Sequence, residues 1–149
     1  MELASIIIAI VSATFSIAIY INTVIFEKKK ITIEAINILQ NEVLDKFVSI
    51  KKENATIIVE NLDDEKCKEA YDDYRALIAR LEHFAVGVNK RVYSYNVVND
   101  LLGNHFIHLY NKVAIIINEA NKNEKCTIHY CNFEKLVKIL QHKQKYERI

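Results

Sequence analysis

Residues 3–26, LASIIIAIVSATFSIAIYINTVIF, contain no charged side chain, and a run of that kind leaves few folds open to the chain. As a helix rising 1.5 Å per residue it reaches roughly 36 Å, against a hydrocarbon core of about 30 Å. Its isoleucines each favour insertion by roughly 0.3 to 0.6 kcal/mol, which together offset the hydroxyls and Asn22. A membrane-spanning helix is the expectation. A cleaved signal sequence needs positive charge ahead of a shorter apolar stretch and small residues at its exit. Here Glu2 precedes the run, and Tyr20, Ile21 and Phe26 close it. Residues 1–27 are therefore read as a retained anchor with the lipid bilayer as its partner. Lys28, Lys29 and Lys30 follow at once, and basic residues beside a span stay on the cytoplasmic side. The expected topology is a single pass of the inner cell membrane, with the N-terminus outside and residues 28–149 forming a cytoplasmic domain.

Within the anchor, Ser5, Ala9, Ser12, Ser16 and Thr23 recur at three-, four- and seven-residue spacings and share one stripe. Small side chains let two helix backbones approach closely, so a parallel homodimer through this face is one expectation. Small residues are also common in membrane helices that do not pair.

The remainder is mixed with charge. Twenty basic and 19 acidic residues are interleaved for a net charge of +1, so no one-sided positive field for nucleic acid is expected. The chain has no proline and two glycines, Gly87 and Gly103, which removes the usual punctuation of β-sandwiches and phosphate loops. Three cysteines, Cys67, Cys126 and Cys131, form no secreted disulfide framework and suit a reducing compartment. The predicted fold class is all-α, with the anchor followed by a small antiparallel helical bundle.

From Ile33, the residues Ile36, Val43, Leu44, Phe47 and Ile50 share a helical face that continues the anchor, with Glu42 and Lys46 placed for an i,i+4 pair. Residues 54–62 are ambiguous between strand and helix, because Ile57, Ile58 and Val59 are β-branched but few. The acids Asp63, Asp64 and Glu65 suit a helix start. A long helix follows with the stripe Cys67, Ala70, Tyr71, Tyr74, Leu77, Ile78, Leu81, Phe84, Ala85 and Val88. Gly87 and Asn89, both tolerant of left-handed backbone angles, are expected to end it. A second long helix is predicted over residues 95–121. Its apolar face includes Val98, Leu101, Leu102, Phe106, Leu109, Tyr110 and Val113. Asn132 is expected to cap a short last helix bearing Phe133, Leu136, Val137 and Leu140.

The segments LEHFAVGVNKRVY at residues 81–93, LLGNHFIHLYNKV at 101–113 and NFEKLVKIL at 132–140 resemble the bacterial domain-of-unknown-function 4760 family. The resemblance implies an N-terminal membrane helix joined to a short helical cytoplasmic part. Glu82, Phe84, Gly87, Asn89 and Tyr93 match its central motif, and Gly103, Ile107 and Tyr110 match its next helix. The family often carries an acid just after the position of Tyr93, where this chain has Ser94 and Tyr95. It supplies no activity and no catalytic residue.

Other constellations have plain alternatives. His105 and His108 sit at i,i+3, a spacing that can serve a metal, but the Glu-x-x-His pattern is absent and packed or boundary histidines are expected. Cys126, His129 and Cys131, with His142 or Cys67, could form a soft metal site, but free cysteines at a helix boundary need no such explanation and are the expectation. Glu82 and His83 point about 100° apart and do not form a pair; an exposed Glu and a boundary His are expected. Asn54-Ala55-Thr56 matches a glycosylation acceptor that an inside location makes inert. No nucleophile elbow, carboxylate pair or phosphate loop occurs. The expectation is a non-enzymatic membrane protein without cofactor that binds an unknown protein partner or itself. The alternative is a tethered metal or ligand sensor using the histidines and cysteines.

Overall fold

The computed structural model describes residues 2–48, 52–123 and 130–146. Among them every regular element is helical. Helix α1, Glu2–Leu39, runs without a break through the lysine triplet and passes at Gln40–Leu44 into a π turn and a short α2, Asp45–Val48. It is the one described helix long and apolar enough to cross a membrane.

The two ends of α1 have opposite surroundings. Side chains of residues 3–26 are all exposed, and the hydroxyls of Thr14, Ser16 and Thr23 bond back to their own helix. Ser16 Oγ donates to the Ser12 carbonyl at 2.9 Å, and Thr23 Oγ1 to that of Ile19 at 2.9 Å. Burial begins at Thr32 and continues through Ile36, Leu39, Val43 and Phe47, a stripe that enters the core as its spacing predicts. Ile50 lies outside the described residues.

Residues 54–62, open between strand and helix from their sequence, are largely helical: α3 spans Lys52–Glu60. Ala55 is fully buried in the core, with Ile58 and Val59 half-buried, while Ile57 faces solvent. Packing against α5 decides the conformation that local propensity leaves open. The acceptor asparagine therefore lies in a helix whose next residue is enclosed.

Helix α4, Glu65–Asn89, begins where the acids predict. Asp64 is its N-cap, accepting from the Lys66 and Cys67 amides at 2.9 and 3.1 Å. Helices α5, Tyr95–Asn123, and α6, Cys131–Tyr146, complete the bundle. Glu42 pairs with Arg80, and Phe47 stacks on Tyr74 at 6.3 Å, so α4 runs antiparallel to the distal part of α1. The core joins the stripes of all these helices, with Phe106, Phe133, Ile78, Leu81 and Ile116 almost fully enclosed.

Three local expectations are corrected. Gly87 is not a left-handed terminator, since neither glycine has a positive φ; Arg91 takes that conformation at φ 62°. The Val92 amide donates to the Gly87 carbonyl at 2.9 Å and the Arg91 amide to that of Val88 at 3.0 Å, a Schellman pair with arginine where glycine is usual. Leu101, expected on the buried face of α5, is 53% exposed. His105 and His108, expected to be packed or at the boundary, are both exposed.

Candidate functional site

The motif residues of α4 gather at one node, and nearly all of them hold helices together. Glu82 and Asn89 lie two turns apart on one face of α4 and grip the start of α6 between them. Glu82 Oε1 accepts from the Asn132 amide at 3.0 Å and from Asn132 Nδ2 at 2.8 Å, while Oε2 accepts from the Phe133 amide at 2.7 Å. The Cys131 thiol points at the same carboxylate, 3.9 Å from Oε1. A carboxylate there satisfies amides that α6 cannot pair internally and lies favourably at the positive end of its dipole. Asn89 Nδ2 donates to the Asn132 carbonyl at 3.0 Å and to Asn132 Oδ1 at 3.3 Å.

Two expectations change here. Glu82 is half-buried rather than exposed, and it caps a helix some fifty residues away. Asn132 is inside the first turn of α6, receiving that cap instead of supplying it. Tyr130, immediately before the helix, holds a positive φ of 62°.

The aromatic motif residues form a connected row. Phe84 stacks on Tyr93 with centroids 5.2 Å apart and meets Phe106 edge-on at 5.8 Å. Phe106 meets Phe133 at 5.8 Å, and Phe133 meets Tyr110 at 5.9 Å, both edge-on. Gly87 makes room for the row. A Cβ at that position would fall against Cε2 and 2.6 Å from Cδ2 of the Tyr93 ring. Gly103 is buried in α5 and Ile107 is half-buried. Burial also raises the hydroxyl pKa of Tyr110 above its ordinary value of 10.0, with the nearby Glu134 carboxylate adding to the rise.

The node reaches α1 through a residue that was not singled out from the sequence. Thr32 is fully buried, and its Oγ1 donates to the Lys28 carbonyl at 2.6 Å and accepts from the Ser94 amide at 2.7 Å. Ser94 directly precedes α5. Its signal was present: Thr32 precedes Ile36 and Leu39 by four and seven residues, which puts a polar side chain on the buried stripe.

Two shallow hollows flank the distal part of α1. One, of about 360 Å³, has Leu44, Phe47, Leu102 and Leu109 as its floor and Asp45, His105, His108 and Lys112 among its polar lining, with Leu101 at its side. The other lies between Ala35, Ile38, His83 and Tyr93. Among the described residues no three His, Cys, Asp or Glu side chains converge as metal ligands. Cys126 and His129 lie outside the described residues, Cys67 is half-buried near the far end of α4, and Cys131 is exposed beside Glu82. In the anchor, Ser5, Ala9, Ser12, Ser16 and Thr23 are all exposed along α1.

Neither a curated protein nor a solved structure matches the chain. A family model does, over nearly its whole length: with residues 2–140 matched, the chain belongs to the family described as a domain of unknown function, DUF4760.

Proposed function

We propose that this is a single-pass protein of the inner membrane whose helical domain, on the cytoplasmic side, is an interaction module rather than an enzyme. The observation that carries this reading is the continuous α1, clamped to the bundle where Thr32 meets Ser94. A helix that leaves the bilayer without a hinge and enters the core of a domain gives that domain a fixed height and facing. Such control matters for meeting a partner at the same membrane and matters little for turning over a diffusing substrate. The motif side chains support the same reading, since Glu82, Asn89, Phe84 and Tyr93 are engaged in capping and packing.

The hollow beside α5 is the surface best suited to the partner. An apolar floor with an exposed Leu101 and a polar rim has the composition of a protein-binding groove. A photo-crosslinking residue at Leu101 of the full chain, in native membranes, is expected to give a discrete adduct absent from the same residue at Glu69. Equal labelling at the two positions would remove the groove as the docking site. A reporter fused after Ile149 is expected to be active inside the cell only, and activity outside would reverse the topology.

A further inference from the structure

We propose that the end of the bundle nearest the anchor is a docking surface for anionic lipid headgroups, built from three separate segments of the chain. The proposal rests on the membrane reading above. Its first segment is the lysine triplet, with Lys29 and Lys30 exposed at the exit of the span. The second is the α4–α5 turn, whose Lys90, Arg91 and Val92 are all exposed. The Ser94–Thr32 bond fixes that turn beside α1, about 6 Å along the helix from Lys28 and about 9 Å from Phe26. A headgroup layer is roughly 5 to 8 Å thick on each side of the hydrocarbon, so the turn stands at its outer edge.

The third segment is the end of α6. Lys143 Nζ lies 5.6 Å from the centroid of the Tyr95 ring, which opens α5 directly after the turn. The last turn of α6, with exposed Lys145, therefore returns to the same end of the bundle. Acids also neighbour these segments in the chain: Glu27 and Glu34 on α1, Asp100 on α5, and Glu147 after Lys145 in the sequence. The opposite end carries Asp63, Asp64, Glu65, Glu69, Asp72 and Asp73 at the start of α4, with Lys66 and Lys68 among them. The end toward the span thus has an excess of basic side chains and the start of α4 an excess of acids, within a chain of net charge +1.

That arrangement complements the negative potential of the inner leaflet, which falls off within a Debye length of about 10 Å at 0.1 M salt. Val92, 58% exposed between Arg91 and Tyr93, is positioned to enter the interface as the basic side chains meet phosphate. The lysines can reach with their long stems, so contact requires no change in the fold.

The test uses the full chain with Val92→Cys labelled by an environment-sensitive dye, in a background where Cys67, Cys126 and Cys131 are serine. The chain is placed in nanodiscs of phosphatidylcholine alone or of an equimolar mixture with phosphatidylglycerol. Quenching by a water-soluble quencher is expected to fall about fivefold in the anionic discs. Raising the salt to about 1 M, where the Debye length is near 3 Å, is expected to cancel the difference. Lys90→Glu with Lys145→Glu, two exposed positions, should cancel it at low salt while leaving the helical circular dichroism unchanged. A control dye at Glu69→Cys should not distinguish the discs. Equal quenching of position 92 in both disc types, with the chain fully incorporated, would overturn this inference and leave the membrane reading standing. Failure of the wild-type chain to enter discs at all would overturn both.

Discussion

The first and second halves of α1 are one helix with two unrelated ways of being stable. Toward the N-terminus, apolar side chains point in every direction and none from Leu3 to Phe26 is buried. Past Lys30 a single stripe from Thr32 to Phe47 is buried and the other faces stay exposed. The contrast shows what each half requires: the first an apolar environment on all sides, the second a particular set of neighbours. A helix apolar all round suits a membrane or the interior of a large core, whereas one with an apolar stripe is a component of a core with polar surroundings.

The sharpest way to break this comparison is a pair of truncations. Phe106→Ala empties a fully buried ring site in the bundle and should cost about 3 to 5 kcal/mol in denaturant unfolding of the detergent-solubilised chain. Phe15→Ala, at the exposed end of α1, should leave that midpoint where it was. Equal losses would mean that the two halves share one packed interior.

The next effect concerns the clamp on α6. Glu82→Ala leaves the Asn132 and Phe133 amides without their acceptor and is expected to lower stability by about 2 to 3 kcal/mol, with Glu82→Gln losing less. Hydrogen exchange should rise first in the opening turn of α6. Protection unchanged there would show that the carboxylate is dispensable. Thr32→Val probes the junction itself. Orphaning the Ser94 amide should cost about 1 to 3 kcal/mol, and Thr32→Ser should recover most of it.

Smaller still is the response to alkali. Burial raises the pKa of Tyr71 and Tyr74 above 10.0, so the folded bundle holds these protons more tightly than the unfolded chain. Their contribution is complete below the unfolded value and is lost as the pH climbs through the raised values. Thermal unfolding should therefore be flat with respect to these groups up to about pH 10 and decline above it. A decline already present near neutrality would point to different groups. Finally, cysteine at Ser12 is expected to give a crosslinked homodimer in native membranes if the small-residue stripe is a contact face. Monomer alone would leave α1 single in the bilayer.

Periodicity and capping chemistry made much of the fold legible beforehand. The α4 stripe from Tyr71 to Val88, the Asp64 cap and the onset of α5 at Tyr95 follow from local spacing alone. The node was not legible, because its bonds join residues far apart in the chain. Nothing near Glu82 announces that its acceptors will serve the amides of Asn132 and Phe133. Gly87 illustrates a different difficulty: its backbone freedom is the usual reason for a glycine at a helix end, yet here the reason is the Tyr93 ring lying against it. Leu101 and His105 were misjudged because an apolar stripe states which side chains could be covered and not whether a neighbour extends far enough to cover them.

The unbroken passage of α1 from its exposed apolar half into the bundle has a mechanical consequence. With no break between them, that half and the domain turn as one piece, like a key whose shaft and bow are cut from the same metal. If the shaft spans a bilayer as proposed, a thicker bilayer that straightens it swings the groove beside α5 through the same angle, and rotation of the shaft against a second copy would turn that groove toward or away from its neighbour.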